Sequence, residues 1–325
     1  MVADDDLGDF WDRARADAHA RGSLFTALSV NLWQGYWQWR RGELAEAVSG
    51  FEAVLEQERM WGGSGAGRDY AIAFLVGAQL DRGDVASALT AAVRAAAEAA
   101  GGEGGRLVRH ALARLRIAEG RHHEALAMLD AVADAVPVAN PAWNAELGLR
   151  AAALAGLGRR EEAVAVAEQE VVLLRRWAAP SYLGAGLRRL GEVAGGPGLE
   201  QLREAVAVLA ATTAEVERAR AEVALGRSPD VPDAEAVPLL QAAVARARAC
   251  GAAGLVHDAS TALRARGLDV EPVCETPALP VTTRRILDLA GAGLSVHEVA
   301  QRLFLTPGTV RAALSAAGAQ VGARS

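Results

Sequence analysis

Gly42-Glu43-Leu44-Ala45-Glu46-Ala47 is the stretch that decides the fold, because close copies of it return three more times along the chain. They are Gly83-Asp84-Val85-Ala86-Ser87-Ala88, Gly120-Arg121-His122-His123-Glu124-Ala125 and Gly158-Arg159-Arg160-Glu161-Glu162-Ala163. In each copy the glycine accepts the left-handed backbone that ends one helix. The alanine five residues later is small enough for the next helix to pack closely against it. Amphipathic stretches flank every copy, which predicts a series of helical hairpins. Phe51, one turn after Ala47 on the same face, is expected to plug the first hairpin, as Leu129 does after Ala125. Pro137 is expected to stop the third pair.

The four glycines are 41, 37 and 38 residues apart, a spacing slightly above the roughly 34 residues of tetratricopeptide repeats and within the range of helical arrays. Two further pairs with longer turns are expected, Tyr182 to Val193 with Leu199 to Ala211 and Glu215 to Leu225 with Glu235 to Gly251, followed by a helix running to Arg266; the repeat decays in that direction. Composition agrees. Apolar residues make up 51% of the chain and aromatics only 5%, and the Ala and Leu that dominate are strong helix formers. The expected fold is therefore all-α, a tetratricopeptide-like hairpin array over residues 1–268 followed by a small helix-turn-helix domain at 282–325. Pro272, Pro277 and Pro280 cannot continue a helix, so 269–281 reads as a linker.

The C-terminal segment has its own logic. Thr282 to Ala290 predicts a first helix. Ser295-Val296-His297-Glu298 is a capping box that opens a second, with Val299, Ala300 and Leu303 inward. Phe304-Leu305 make a turn, and Thr306-Pro307 pair an N-cap residue with a proline at the first helical position of a third helix that buries Val310 and Leu314. Two short helices about a tight turn, with small Ala300 at their closest approach, make a helix-turn-helix.

The run Gly293-Leu294-Ser295-Val296-His297-Glu298-Val299-Ala300-Gln301-Arg302-Leu303-Phe304-Leu305-Thr306-Pro307-Gly308-Thr309-Val310-Arg311 resembles the heart of a LuxR-type DNA-binding domain. Upstream, Asn140-Pro141, Gly158 to Ala163 and Ala179-Pro180-Ser181-Tyr182-Leu183-Gly184 resemble the helical-repeat half of the large ATP-binding LuxR-type regulators. The resemblance implies signal-dependent transcription control, with DNA contacts on Arg302, Thr306, Thr309, Arg311 and Ser315. Three departures stand out. The family's nucleotide-switch domain is absent: Gly62-Gly63-Ser64-Gly65-Ala66-Gly67-Arg68-Asp69 puts Arg68 and Asp69 where a phosphate loop needs Lys and Ser or Thr, and it reads as an interhelical loop. Ala312 and Ala313 stand where polar contacts are usual; alanine can touch a thymine methyl but cannot hydrogen-bond a base. The usual dimer-forming helix after Val321 is missing, which leaves only a possible homodimer.

The chain carries a net charge of −6 and contains no lysine, so any nucleic-acid binding must be local. From Glu275 onward the arginines outnumber the acids, giving +2. Trp33, Tyr36, Trp37 and Trp39 crowd one predicted helix ahead of Arg40 and Arg41. Their spacing pairs Trp33 with Trp37 and Tyr36 with Trp39. One pair is expected in the core; Tyr36, Trp39 and Arg40 are the candidates for a ligand or peptide groove. Core packing of all four is the plainer alternative.

Cys250 and Cys274 form no metal or disulfide pattern, and the adjacent His122 and His123 point about 100° apart on a helix and cannot chelate one ion. No cofactor, no metal and no enzymatic motif is expected. The acidic N-terminus, Met1 to Phe10, is no signal peptide, and no apolar run spans a bilayer, which points to a cytoplasmic protein without membrane association. The sequence thus reads as a DNA-binding transcriptional regulator with a helical-repeat domain that senses a protein or small-molecule effector. The alternative is an interaction adaptor or ligand sensor whose helix-turn-helix no longer binds DNA.

Overall fold

The computed structural model describes residues 7–61, 66–98, 102–133, 140–143, 146–268, 281–303 and 305–322. Pro137, Phe304, Cys274, the prolines of the 269–281 linker, Gly62 to Gly65 and Arg324-Ser325 lie outside them. The described residues are all-helical, with no strand. The array comprises α1 (Gly8–Ala20), α2 (Leu24–Arg41), α3 (Leu44–Trp61), α4 (Ala66–Arg82), α5 (Val85–Glu98), α6 (Gly102–Ala118), α7 (His122–Ala133), α8 (Glu146–Gly156), α9 (Arg160–Trp177), α10 (Pro180–Ala194), α11 (Leu199–Ala210), α12 (Glu215–Gly226), α13 (Asp233–Cys250) and α14 (Ala253–Ala265). Three helices follow: α15 (Val281–Gly291), α16 (Val296–Leu303) and α17 (Pro307–Gly322).

The repeated turn is built as its sequence dictates. Gly42, Gly83, Gly120 and Gly158 have φ of 93°, 84°, 75° and 75°, a region that costs a side-chain-bearing residue strain. The amide after each glycine reaches back five residues: Glu43 to Gln38, Asp84 to Gln79, Arg121 to Arg116 and Arg159 to Leu154, at 2.8–3.0 Å. This satisfies a carbonyl that the helix end would otherwise leave bare. Ala47, Ala88, Ala125 and Ala163 all have zero exposure, as do Phe51 and Leu129. A left-handed turn of the same kind recurs at Gly251, where Ala252 N–H bonds the Ala247 carbonyl, but it joins α13 to α14 rather than closing a pair; the α12–α13 hairpin closes without a positive-φ glycine. Ala66 to Asp69 begin α4, and Asp69 is buried; the expected glycine loop is thus shorter than its composition suggests.

The even-numbered helices α2 to α14 stack side by side as an inner row, with the odd-numbered helices packed outside. Apolar cores fill the layer between the rows. The inner row curves far enough to meet itself: α2 contacts α12, and α4 contacts α14. Leu44 at the first turn is buried against Val216, Ala247, Cys250 and Ala252. A Cβ at Gly83 would come 2.9 Å from the Gly254 backbone, so two glycines make this second contact possible.

Candidate functional site

Two regions gather chemistry-bearing side chains: the inner row of the array and the C-terminal three-helix module.

On the inner row, the register two residues before the turn glycine holds Arg40 and Asp81, and the register six before holds Tyr36, Gly77 and Arg114. Curvature brings these together with α10 and α12. The Tyr36 hydroxyl lies 2.6 Å from that of Tyr182. Trp39 Nε1 donates to Asp81 Oδ2 at 2.7 Å, and its ring fits only because Gly77 has no side chain: a Cβ there would sit 2.5 Å from it. Asp81 Oδ1 accepts from both Arg114 and Arg220. Arg220 also pairs with Glu217 at 2.6 Å, and Arg189 holds Glu170 through two hydrogen bonds of 3.0 and 2.5 Å. Burial by itself would raise the Asp81 carboxyl, but Arg114 and Arg220 outweigh it and hold it below its ordinary value. Glu217 is likewise driven down, against its burial, by Arg220, Arg188, Arg40 and Arg189. Tyr36 is raised by burial and by Tyr182.

The three proposed groove residues therefore do come together. Tyr36 and Trp39 are half-buried and hydrogen-bonded. Arg40 stacks on the Tyr182 ring at 4.5 Å and lies 5.9 Å from that of Trp39. Of the two expected aromatic pairs, Tyr36 with Trp39 forms at 5.9 Å, and Trp33 with Trp37 is corrected. Trp37 is buried with Trp11 and Val30, whereas Trp33 sits with Tyr36 at 6.0 Å and with Tyr70, Phe74 and Trp143 at 6.0–6.2 Å. The i, i+4 rule placed Trp33 beside Trp37 but could not see the aromatic wall contributed by α4 and by Trp143. Asp81, Arg114, Tyr182, Arg189, Glu217 and Arg220 were also missed. The shared register of Arg40 and Asp81 was the one signal that could have found any of them.

In the module, the capping box forms as expected. The Ser295 hydroxyl accepts from Glu298 N–H at 3.3 Å, and the Glu298 carboxylate accepts from Ser295 N–H at 2.8 Å. These Ser295 hydrogen bonds hold the Glu298 carboxyl below its usual range. Ile286, Val299, Ala300 and Val310 form the core, and Leu305 N–H bonds the Ala300 carbonyl at 2.8 Å across the turn. Arg302, Arg311 and Ser315 are exposed. Thr306 is not: it is 6% exposed, and its hydroxyl accepts from Thr309 N–H at 3.0 Å. It caps α17 rather than facing a ligand. The Thr309 hydroxyl donates to Glu56 of α3 at 2.8 Å, and Gly308 abuts the same carboxylate. A carboxylate at this helix start occupies ground that favours any anion, a phosphate included.

His122 opens α7, with its ring against Gly156, while His123 is exposed. Among the described residues no cluster of His, Cys, Asp or Glu could hold a metal ion, and no helix is long and apolar enough to cross a membrane. The chain matches no protein-family model, and no curated protein matches it.

Proposed function

We propose that this chain is a DNA-binding transcriptional regulator, in which the helical array is the sensing half and the α15–α17 module engages DNA. One observation carries it: α16 and α17 form a capped helical pair about a tight turn, with Arg311 exposed in the first turns of the second helix. In that arrangement the second helix enters the major groove, and its N-terminal side chains reach base edges or phosphates. The likeness of Gly293 to Arg311 to LuxR-type domains supports the same function. Its DNA contacts reduce to Arg302, Thr309, Arg311 and Ser315, since Thr306 is spent on its cap.

The test is an electrophoretic shift assay with DNA from upstream of the chain's own gene, at two salt concentrations. Arg311→Ala should weaken specific binding by about 1–3 kcal/mol if it reads a base, or flatten the salt dependence by about one phosphate's worth if it does not. Parent and variant showing the same weak, salt-sensitive association would sink the proposal. The Glu56 contact favours a second reading, an adaptor whose module is docked on the array. Glu56→Gln discriminates: it tightens DNA binding in a regulator, by removing a competing carboxylate, and leaves DNA association unchanged in an adaptor.

A further inference from the structure

The centre of the array is enclosed and charged. Arg189 and Arg220 lie on the inner row, and their side chains keep 24% and 22% of their accessible surface. Side chains on a row that closes on itself and that still keep this much surface leave room beside them for solvent. Five guanidiniums gather there, those of Arg40, Arg114, Arg188, Arg189 and Arg220, with the carboxylates of Asp81, Glu170, Glu192 and Glu217.

Four of the five arginines hydrogen-bond a carboxylate: Arg114 to Asp81, Arg188 to Glu192, Arg189 to Glu170, and Arg220 to both Asp81 and Glu217. Arg40 has no such partner among the described residues. Its guanidinium rests on the Tyr182 ring, and its Nε is buried without a hydrogen bond. Glu217 and Asp81 act on Arg40 only at longer range, so its guanidinium keeps donors that no carboxylate uses. Two turns away along α2, Trp33 remains 37% exposed at the edge of the aromatic wall formed with Tyr36, Tyr70, Phe74 and Trp143. A cation with no hydrogen-bonded oxyanion thus shares α2 with an aromatic surface that is partly open.

We propose that the interior of the array binds a small anionic molecule with an aromatic body, its oxyanion held by Arg40 and its ring against Trp33 and Tyr36. The planar guanidinium matches a carboxylate or a phosphate in two parallel hydrogen bonds. The enclosing contact of α2 with α12 favours a small molecule over an extended peptide. This deepens the assignment of the array as the sensing half, and it is tested without DNA, so its failure and the failure of DNA binding are told apart.

Phenylacetate, phenyl phosphate and the neutral 2-phenylethanol are titrated into the full chain, read by tryptophan fluorescence and by thermal shift. At least one of the two anions should bind saturably below about 10 mM, roughly tenfold or more tighter than the alcohol; which of them is tighter assigns the oxyanion. Arg40→Gln should lose about that tenfold, while Arg176→Gln, at an exposed position on α9, should lose nothing. Saturable binding of neither anion, equal binding of the alcohol, or undiminished binding by a folded Arg40→Gln chain would each overturn the proposal. Should Arg40→Gln fail to fold, the anion-to-alcohol ratio in the parent chain decides alone.

Discussion

Ala47, Ala88, Ala125 and Ala163 are each fully buried between paired helices of the array, and the C-terminal module has one counterpart, Ala300, in a core of four buried side chains. The turns differ as well. The first four hairpins of the array close on glycines with positive φ, whereas the α16–α17 turn is fixed by Leu305 N–H on the Ala300 carbonyl and by the Thr306 cap. A small module buries little surface, so local capping carries a larger share of its stability. The array inverts this. Its hairpins are local units, but a polar centre joins residues as distant in sequence as Asp81 and Arg220, or Tyr36 and Tyr182. The difference teaches where each half is vulnerable: the module at its helix starts, the array at its centre.

The sharpest way to break that contrast is Asp81→Ala. It strands Arg114, Arg220 and Trp39 Nε1 at once and should cost the array about 3–5 kcal/mol in denaturant unfolding; a loss under about 1 kcal/mol would mean the centre does not hold the array closed.

Acid should act next, and again on the array. Burial, with Arg106 and Arg109, pushes His110 down from its ordinary 6.5 to about 4. The unfolded chain therefore takes up a proton that the folded one refuses. Stability is full above pH 6.5 and falls by about 3 kcal/mol as the pH drops toward 4. Unfolding free energies of the parent and of His110→Gln across that window should diverge, with the variant flatter; parallel curves would remove His110 as the cause.

Overpacking probes the hairpin seam. Ala125→Leu should cost about 1–3 kcal/mol, and an unchanged melting temperature would show that the seam has room to spare. The smallest effect belongs to the module: Thr306→Ala removes the α17 cap and should cost about 1 kcal/mol, read as lost amide-exchange protection in α16 and α17 with the array unaffected. Loss of protection in α3 as well would show that the Glu56 contact couples the two halves.

Much of this was legible in the sequence because it is written within five or six residues. The glycine turn, the alanine behind it, the Ser295–Glu298 box and the Thr306 cap all depend on short-range backbone geometry, and each stands where the local pattern puts it. Thr306 shows the limit. Its role as a cap was readable, while its assignment as a DNA contact ignored that a hydroxyl accepting an amide inside the module is turned from solvent. Trp33 shows another: helical spacing names which side chains are neighbours on one helix, but the partner that wins is chosen by what the next helix presents, here Tyr70 and Phe74.

The sequence by itself determined the all-helical class and the register of the first four hairpins, since φ preferences, capping and helical periodicity act along the chain. Only the tertiary structure decided that the inner row meets itself, that Asp81 binds Arg220 and that Arg40 is left without a hydrogen-bonded carboxylate. Closure is the sum of small rotations between successive hairpins. No single hairpin encodes that sum, so the residues it brings together carry no mark of one another in the sequence.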